Sequence, residues 1–452
     1  MNGNRTPWRT SPRQGIVLVA VLCLGVVIGR ASFWDTNLSR LSSRIKHGLG
    51  LTEASPPGHW NLAQTTAHAG HLSAQQKREL DRLRSLGYAS GTVPAADRFG
   101  VTACDPQLVA KGLRYYTSGH TPAAYLMNQS GQVLHRWQMS YQDCIEASGD
   151  RGSRFAPDKA DVTSCWRRAR LLDHGDLLAI YEGHGLIKLD RDSRLLWSYP
   201  GGCHHDLDVA ADGSIYVLTR EAHLVPRLHP DQPVLLDFVT KLDADGRELD
   251  RLDLLKAFED SPYAGCLAGA KPSGDIFHTN TLELLDGSQA HRSPVFAAGN
   301  LLISVRELNT IAIVDPRSRQ VVWALSGLWV AQHQPTLLAN GNLLVFDNQG
   351  HGGRSKVIEF DPFTQQIVWE YCDGAGSSLY SKTCGSCQRL EGGNTLITES
   401  DNGRAIEVDR DGRIVWEFVN TRRTGPDNEL IAAIMEMVCL PADTDFAWLA
   451  PQ

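Results

Sequence analysis

The sequence predicts an all-β protein: a six-bladed β-propeller preceded by an N-terminal membrane anchor or signal segment and a short, partly helical stalk. Two observations predict the propeller. A unit of strand, turn, strand ending in Asp, turn and strand carrying Trp recurs along the chain, and most copies have a further short strand before their first Gly. Four strands at a period of about 45–50 residues is the signature of a propeller blade. The third observation, an apolar run behind three arginines near the N-terminus, predicts the leading segment.

The elements follow in chain order. Arg5, Arg9 and Arg13 lie in a basic region (1–14) ahead of GIVLVAVLCLGVVIG (15–29), and Arg30, Phe33 and Trp34 follow. A basic flank before a short apolar core fits a cleaved signal peptide or an uncleaved anchor. The run approaches the roughly 20 residues of a span only when 31–34 are included and Arg30 snorkels. It lacks a convincing small-residue cleavage site, which favours an anchor over 15–34 with the rest of the chain on the extracytoplasmic, periplasmic side. Residues 35–100 are polar and irregular. Within them Ser73 can cap, Gln76 sits three residues on, and Leu80, Leu83 and Leu86 recur before Gly87, which predicts a short helix near 74–86.

The propeller is expected over 101–440, with a tail at 441–452. Its clearest units are GDLLAIYEGHGLIKLDRDSRLLWSY from Gly175, GNLLISVRELNTIAIVDPRSRQVVWAL from Gly299, GNLLVFDNQGHGGRSKVIEFDPFTQQIVWEY from Gly341 and GNTLITESDNGRAIEVDRDGRIVWEF from Gly393. Two degenerate copies complete six, one starting at Gly213 and one ending at Trp137. Alternation in strands such as VIEF and AIEV supplies two packed faces. Trp137, Trp197, Trp323, Trp369 and Trp416 are expected to fill the space between blades.

Composition narrows the function. A net charge of −7 argues against a nucleic-acid footprint, which would be strongly basic. Nine of the ten cysteines follow the apolar run, and outside the cytoplasm they would tend to pair as disulfides. Cys384-Gly-Ser-Cys387 stands alone, without the second pair of a zinc ribbon or the βαβ setting of a redox motif, and reads as structural.

Matching positions in different blades form rings about the axis, because each first strand lines the central channel. His333 lies eight residues before Gly341, His205 eight before Gly213, His278 nine before Gly287 and Arg167 eight before Gly175. Gly385 takes that place before Gly393. Counting forward by seven, Arg306, Arg220, Asn348, Glu182 and Ser400 occupy one second-strand level. Three histidines at one level and arginines at another make a donor-rich, cationic site. It suits an anionic tetrahedral group, sulfate or phosphate. A neutral imidazole is also a nucleophile, and a second can act as general acid. His71, His120, His135, His174, His184, His223, His229, His291 and His351 lack the register and read as surface or loop. Two rivals stand beside this reading. Three histidines can hold zinc for a metal-dependent hydrolase, although arginines oppose a dication and no obvious carboxylate beyond Asp206 stands near. The Asp-turn-Trp units also look like those of quinoproteins, which would make this a non-catalytic binding or scaffold propeller.

These residues resemble the bacterial arylsulfate sulfotransferases and their arylsulfotransferase-like relatives over roughly 111–418. The carriers are GLRYYTSGHTPAAYLMNQSGQVLHRW, GGCHHDLDV, IFHTN, LLISVRELNTIAIVD, AQHQPTLLANGN and the Trp-ended units. The resemblance implies a six-bladed propeller that transfers a sulfuryl group from a phenolic sulfate ester to a phenol through a sulfohistidine. It implies no adenylyl-sulfate donor and no cofactor. The family's nucleophile falls on His333, its supporting histidines on His278 and on His205 or His204, and its arginine on Arg306. Strand alternation should let only one of His204 and His205 face the channel, and the register favours His205. Arg220, Arg167 and Asn348 are added as substrate-binding candidates by the register count. The family's N-terminal β-sandwich, used in dimerisation, is replaced here by the anchor and stalk, which leaves the oligomeric state open.

Overall fold

A computed structural model describes residues 64–65, 91–148, 165–374 and 377–449. Six antiparallel blades account for nearly all of them, as the repeat predicts. Blade 1 consists of Ile434–Cys439, Arg114–Ser118, Ala123–Met127 and Val133–Gln138. Blade 2 runs from Arg168–Leu171 through Leu177–Tyr181 and Gly185–Leu189 to Leu195–Tyr199. Blade 3 holds Cys203–Val209, the long hairpin Ile215–Leu224 and Pro233–Leu242, and Glu248–Asp253. Blade 4 is Thr279–Leu284, Leu301–Val305, Thr310–Asp315 and Gln320–Ser326. Blade 5 is His333–Leu337, Leu343–His351, Arg354–Phe360 and Ile367–Tyr371. Blade 6 is Ser386–Arg389, Thr395–Glu399, Arg404–Val408 and Ile414–Val419.

The ring closes twice. The late strand Ile434–Cys439 pairs with Arg114–Ser118 as the first strand of blade 1, and the early strand Gly100–Cys104 is added as a fifth strand on blade 6. Sequence reading found the first blade degenerate because its inner strand comes from the other end of the chain. The expected anchor and the stalk helix near 74–86 lie outside the described residues. Among the described residues no helix is long and apolar enough to cross a membrane.

The repeat tryptophans join neighbouring blades. Trp137 donates its indole N–H to Gly175 O of the next blade at 2.9 Å, and Trp197 to Ala244 O at 3.1 Å. Trp369 donates to Arg410 O at 2.9 Å and Trp416 to Gln129 O at 2.8 Å, the last across the closure. Each ring thus buries apolar area while its one polar atom is satisfied, as a buried indole requires. The disulfide expectation is corrected: no disulfide forms among the nine described cysteines. Cys144, Cys165, Cys203, Cys387 and Cys439 belong to five separate apolar clusters, so the blade geometry keeps them apart.

Inner strands are tied around the channel by one guanidinium. Arg168 of blade 2 lies 2.9 Å from Asp206 Oδ1 of blade 3 through Nε, pairs through Nη1 with Glu436 of blade 1, and donates from Nη2 to Gln334 Oε1 of blade 5 at 2.7 Å. Asp206 Oδ2 in turn accepts Leu282 N–H of blade 4 at 3.0 Å. Blade 6 joins through Gln388, whose amide donates to and accepts from the Cys439 backbone of blade 1 at 2.9 Å each way. Arg168 also walls a cavity of about 500 Å³ with Asp208, Glu283, Thr336 and Glu436, towards the ends of the inner strands. Replacing Arg168 by Met should leave the buried Asp206 and the largely covered Glu436 without this cation. The expected cost is about 3–5 kcal/mol, read as a lowered midpoint of urea unfolding at unchanged slope. A midpoint equal to wild type would remove Arg168 from this role.

Candidate functional site

The candidate residues gather at the opposite, starting ends of the inner strands. Each start is irregular. Pairing slips between Cys203 and Leu207, between Thr279 and Thr281, and between His333 and Thr336. The backbone turns left-handed at His205 (φ 52°), His278 (φ 51°), Gln334 (φ 48°) and Cys384 (φ 53°). Such conformations cost non-glycine residues about 1–3 kcal/mol each and collect at functional sites. Here they re-aim side chains that regular strands would alternate.

This overturns the expectation that only one of His204 and His205 turns inward. Both are buried, and their Nδ1 atoms lie 2.9 Å apart, so one ring donates to the other. His205 also packs edge-on against His278, with ring centroids 4.6 Å apart. Glu182, counted at the second-strand level without a role, reaches in from blade 2. Its Oε2 accepts His205 N–H at 3.0 Å, and its Oε1 lies 3.4 Å from His205 Nδ1 and 3.2 Å from Arg220 Nη2. Arg220 is therefore engaged by a carboxylate inside the wall. Arg167 is buried at the start of blade 2, and its charge acts on His205 and His333.

His333 has the most defined setting. Its Nδ1 lies 2.8 Å from Asn348 Oδ1 and 3.1 Å from Ala331 O, both acceptors, so Nδ1 carries the proton and Nε2 the lone pair. Asn348 cannot flip, because its Nδ2 donates to Ser381 O at 2.9 Å and Cys384 O at 2.7 Å. The Cys384 segment thus serves the site through its backbone. Burial pushes the His333 imidazole well below its usual range, and the Arg306 guanidinium adds to the shift. Burial likewise lowers His204, His205 and His278. Arg306 opens the short 3₁₀ turn Arg306–Leu308, its N–H on His278 O at 3.3 Å, its Nη1 on Glu307 Oε1 at 2.5 Å. Lys271 holds the same Glu307.

Three buried carboxylates enter the site, which corrects the reading that none beyond Asp206 stood near. Asp206 itself faces Arg168, whereas Glu182, Asp237 and Asp275 approach the histidines. Asp275 Oδ2 lies 3.2 Å from His278 Nδ1, and Asp237 Oδ1 lies 3.8 Å from His204 Nε2. Asp237 and Asp275 come from the third strand of blade 3 and from the 254–278 insertion, where no turn register points. The i, i+3 spacing of Asp275 and His278 in DIFH was the available signal. Glu182, His204 and His205 offer ligand atoms within 4.8 Å of one another. Arg220 on Glu182 and Arg167 nearby put positive charge against a metal ion there and favour an anion.

Three other histidines pack inward: His120 and His184 from turns, in keeping with the loop reading, and His135 from a strand, against it. His184 is buried with Nδ1 3.2 Å from Tyr141 Oη, His120 is half-buried against Tyr125, and His135 packs between Trp137 and Trp448. Each fills a blade contact that register counting does not report.

The fold and its mouth define a six-bladed propeller whose inner-strand starts form a buried site lined by histidines and arginines. The chain belongs to the arylsulfotransferase (ASST) family, which it matches over residues 168–421. That stretch holds blades 2 to 6 and His204, His205, Arg220, His278, Arg306, His333 and Asn348; Arg167 stands one residue before it. No curated protein matches the chain. Among solved structures, a protein of unknown function from Bacteroides caccae aligns at 13% identity over 72% of this chain and 98% of its own, with a TM-score of 0.44. A streptogramin B lyase aligns at 15% identity over 77% and 95%, with a TM-score of 0.41. Virginiamycin B lyase from Staphylococcus aureus aligns at 10% over 72% and 90%, with a TM-score of 0.39.

The His333 ring should stay neutral as pH falls through 6.5, since its folded value is lowered. Asn348→Asp places a carboxylate on Nδ1 and should move the titration upward. Ring NMR of selectively labelled histidine checks both, and a wild-type His333 titrating at or above pH 6.5 would sink the assignment.

Proposed function

We propose that the protein transfers a sulfuryl group from an aryl sulfate to a phenol through a sulfohistidine on His333. The observation that carries this reading is the His333–Asn348 bond, which leaves Nε2 as a lone pair on a ring kept neutral by burial. In the first half-reaction Nε2 attacks sulfur, the S–O(aryl) bond breaks and the phenolate leaves, taking a proton from His278. In the second, the acceptor oxygen attacks the N-sulfo group as its proton passes to His278, the S–N bond breaks and Nε2 regains its lone pair. Kinetics would be ping-pong. Arg306 and His205 are the donors suited to the sulfuryl oxygens and His278 the one suited to the leaving oxygen, with Arg167 adding positive charge and Arg220 fixing Glu182. His204 acts on His205 through their shared hydrogen bond. The basic-flanked segment over 15–34 would place this chemistry on the extracytoplasmic side, at the membrane.

The test is an intact-mass spectrum quenched within seconds of adding aryl sulfate without acceptor, followed by peptide mapping. One sulfuryl adduct is expected on the peptide holding His333, discharged by added phenol and absent in His333→Ala. Arg306→Ala should slow adduct formation about a hundredfold to a thousandfold. Full activity of His333→Ala would refute the nucleophile. Stoichiometric zinc lost together with activity on chelation would instead favour a hydrolase.

A further inference from the structure

We propose that Asp275, backed by Asp237, stores the proton that His278 gives to the departing phenol. The inference rests on the sulfuryl-transfer reading and assigns a positioning residue to it. Asp275 grips one residue twice: Oδ1 accepts His278 N–H at 2.8 Å, and Oδ2 lies 3.2 Å from His278 Nδ1. The grip is built into the fold, because Gly274–Asp275 pairs with Val234–Leu235 of the blade 3 hairpin. Asp237 stands beside it from that same hairpin, opposite Arg220, with Oδ2 accepting Thr279 N–H at 2.7 Å. The pair and His278 are buried.

Two carboxylates buried together cannot both ionise at little cost, so holding one proton between them is favoured. Burial and the neighbouring Asp275 push Asp237 up to about 7, and burial raises Asp275 against the pull of Arg220, Lys271 and Arg306. His278, pushed low by burial and Arg306, is a poor store of its own. We place the shared proton on Asp275 Oδ2, 3.2 Å from His278 Nδ1, while the neutral ring carries N–H at Nε2. As the S–O(aryl) bond breaks, Nε2–H passes to the phenolate oxygen and Nδ1 takes the Asp275 proton. His278 is left neutral with its lone pair at Nε2, opposite a charged Asp275. The acceptor phenol then gives its proton to Nε2, Nδ1–H returns to Asp275, and the starting tautomer is restored. No proton or electron is left over.

The experiment measures first-half-reaction rates, by quenched mass of the His333 adduct, for aryl sulfates of graded leaving-group pKa. Wild type should depend weakly on the leaving group. Asp275→Asn, which keeps the size and the acceptor for His278 N–H, should lose about a hundredfold or more on phenyl sulfate. Its loss on para-nitrophenyl sulfate, whose phenolate needs no proton, should stay under about tenfold. Asp237→Asn should steepen the dependence in the same direction, and it serves as the readout if Asp275→Asn does not fold. An equal loss on both substrates would reduce Asp275 to a structural role and overturn the proposal while the sulfohistidine stands. Absence of any adduct in wild type would overturn the sulfuryl-transfer reading itself.

Discussion

The inner strands of five of the six blades are tied through the Arg168 guanidinium. Blades 1, 2, 3 and 5 meet on that one group, and Asp206 extends its reach to blade 4. A buried charge is tolerable only when it is paired and hydrogen-bonded, and here the partners are distributed over the ring. The interaction therefore sets how near the inner strands come to the axis. Arg168 Nε also points at His205 O at 3.3 Å, so the clamp bears directly on the residue where the backbone turns left-handed.

With the strands held, their starts can be irregular. The left-handed residues at His205, His278, Gln334 and Cys384 lie at or beside the ring level, on four successive blades. A free hairpin would relax such conformations; a closed ring over-determines them. The gain is chemical. Side chains that a regular strand would send to opposite faces converge, and the rings are buried deeply enough to stay neutral beside arginines.

Charge is balanced within the wall. Arg220 is matched to Glu182, and Glu307 is shared by Arg306 and Lys271. Arg167 lends its charge to His205 and His333 from the start of blade 2. On the proposed reading, cations fixed in this way would need little reorganisation as charge develops on transfer.

The sequence by itself determined the six blades, the tryptophan contacts between them and the level shared by His205, His278, His333 and Arg167. Those features repeat locally, and a turn glycine fixes the count from strand to strand. The second-strand level also exposed Asn348 and Glu182 as positions, though not their partners. Only the tertiary structure decided that His204 joins His205, that Asp237 and Asp275 stand behind the histidines, and that Ile434–Cys439 completes blade 1. It also put Cys144, Cys165, Cys203, Cys387 and Cys439 in separate apolar clusters. The reason is physical. A bulge cancels the alternation from which a strand's facing is read, an insertion carries no register, and ring closure joins residues more than 300 positions apart.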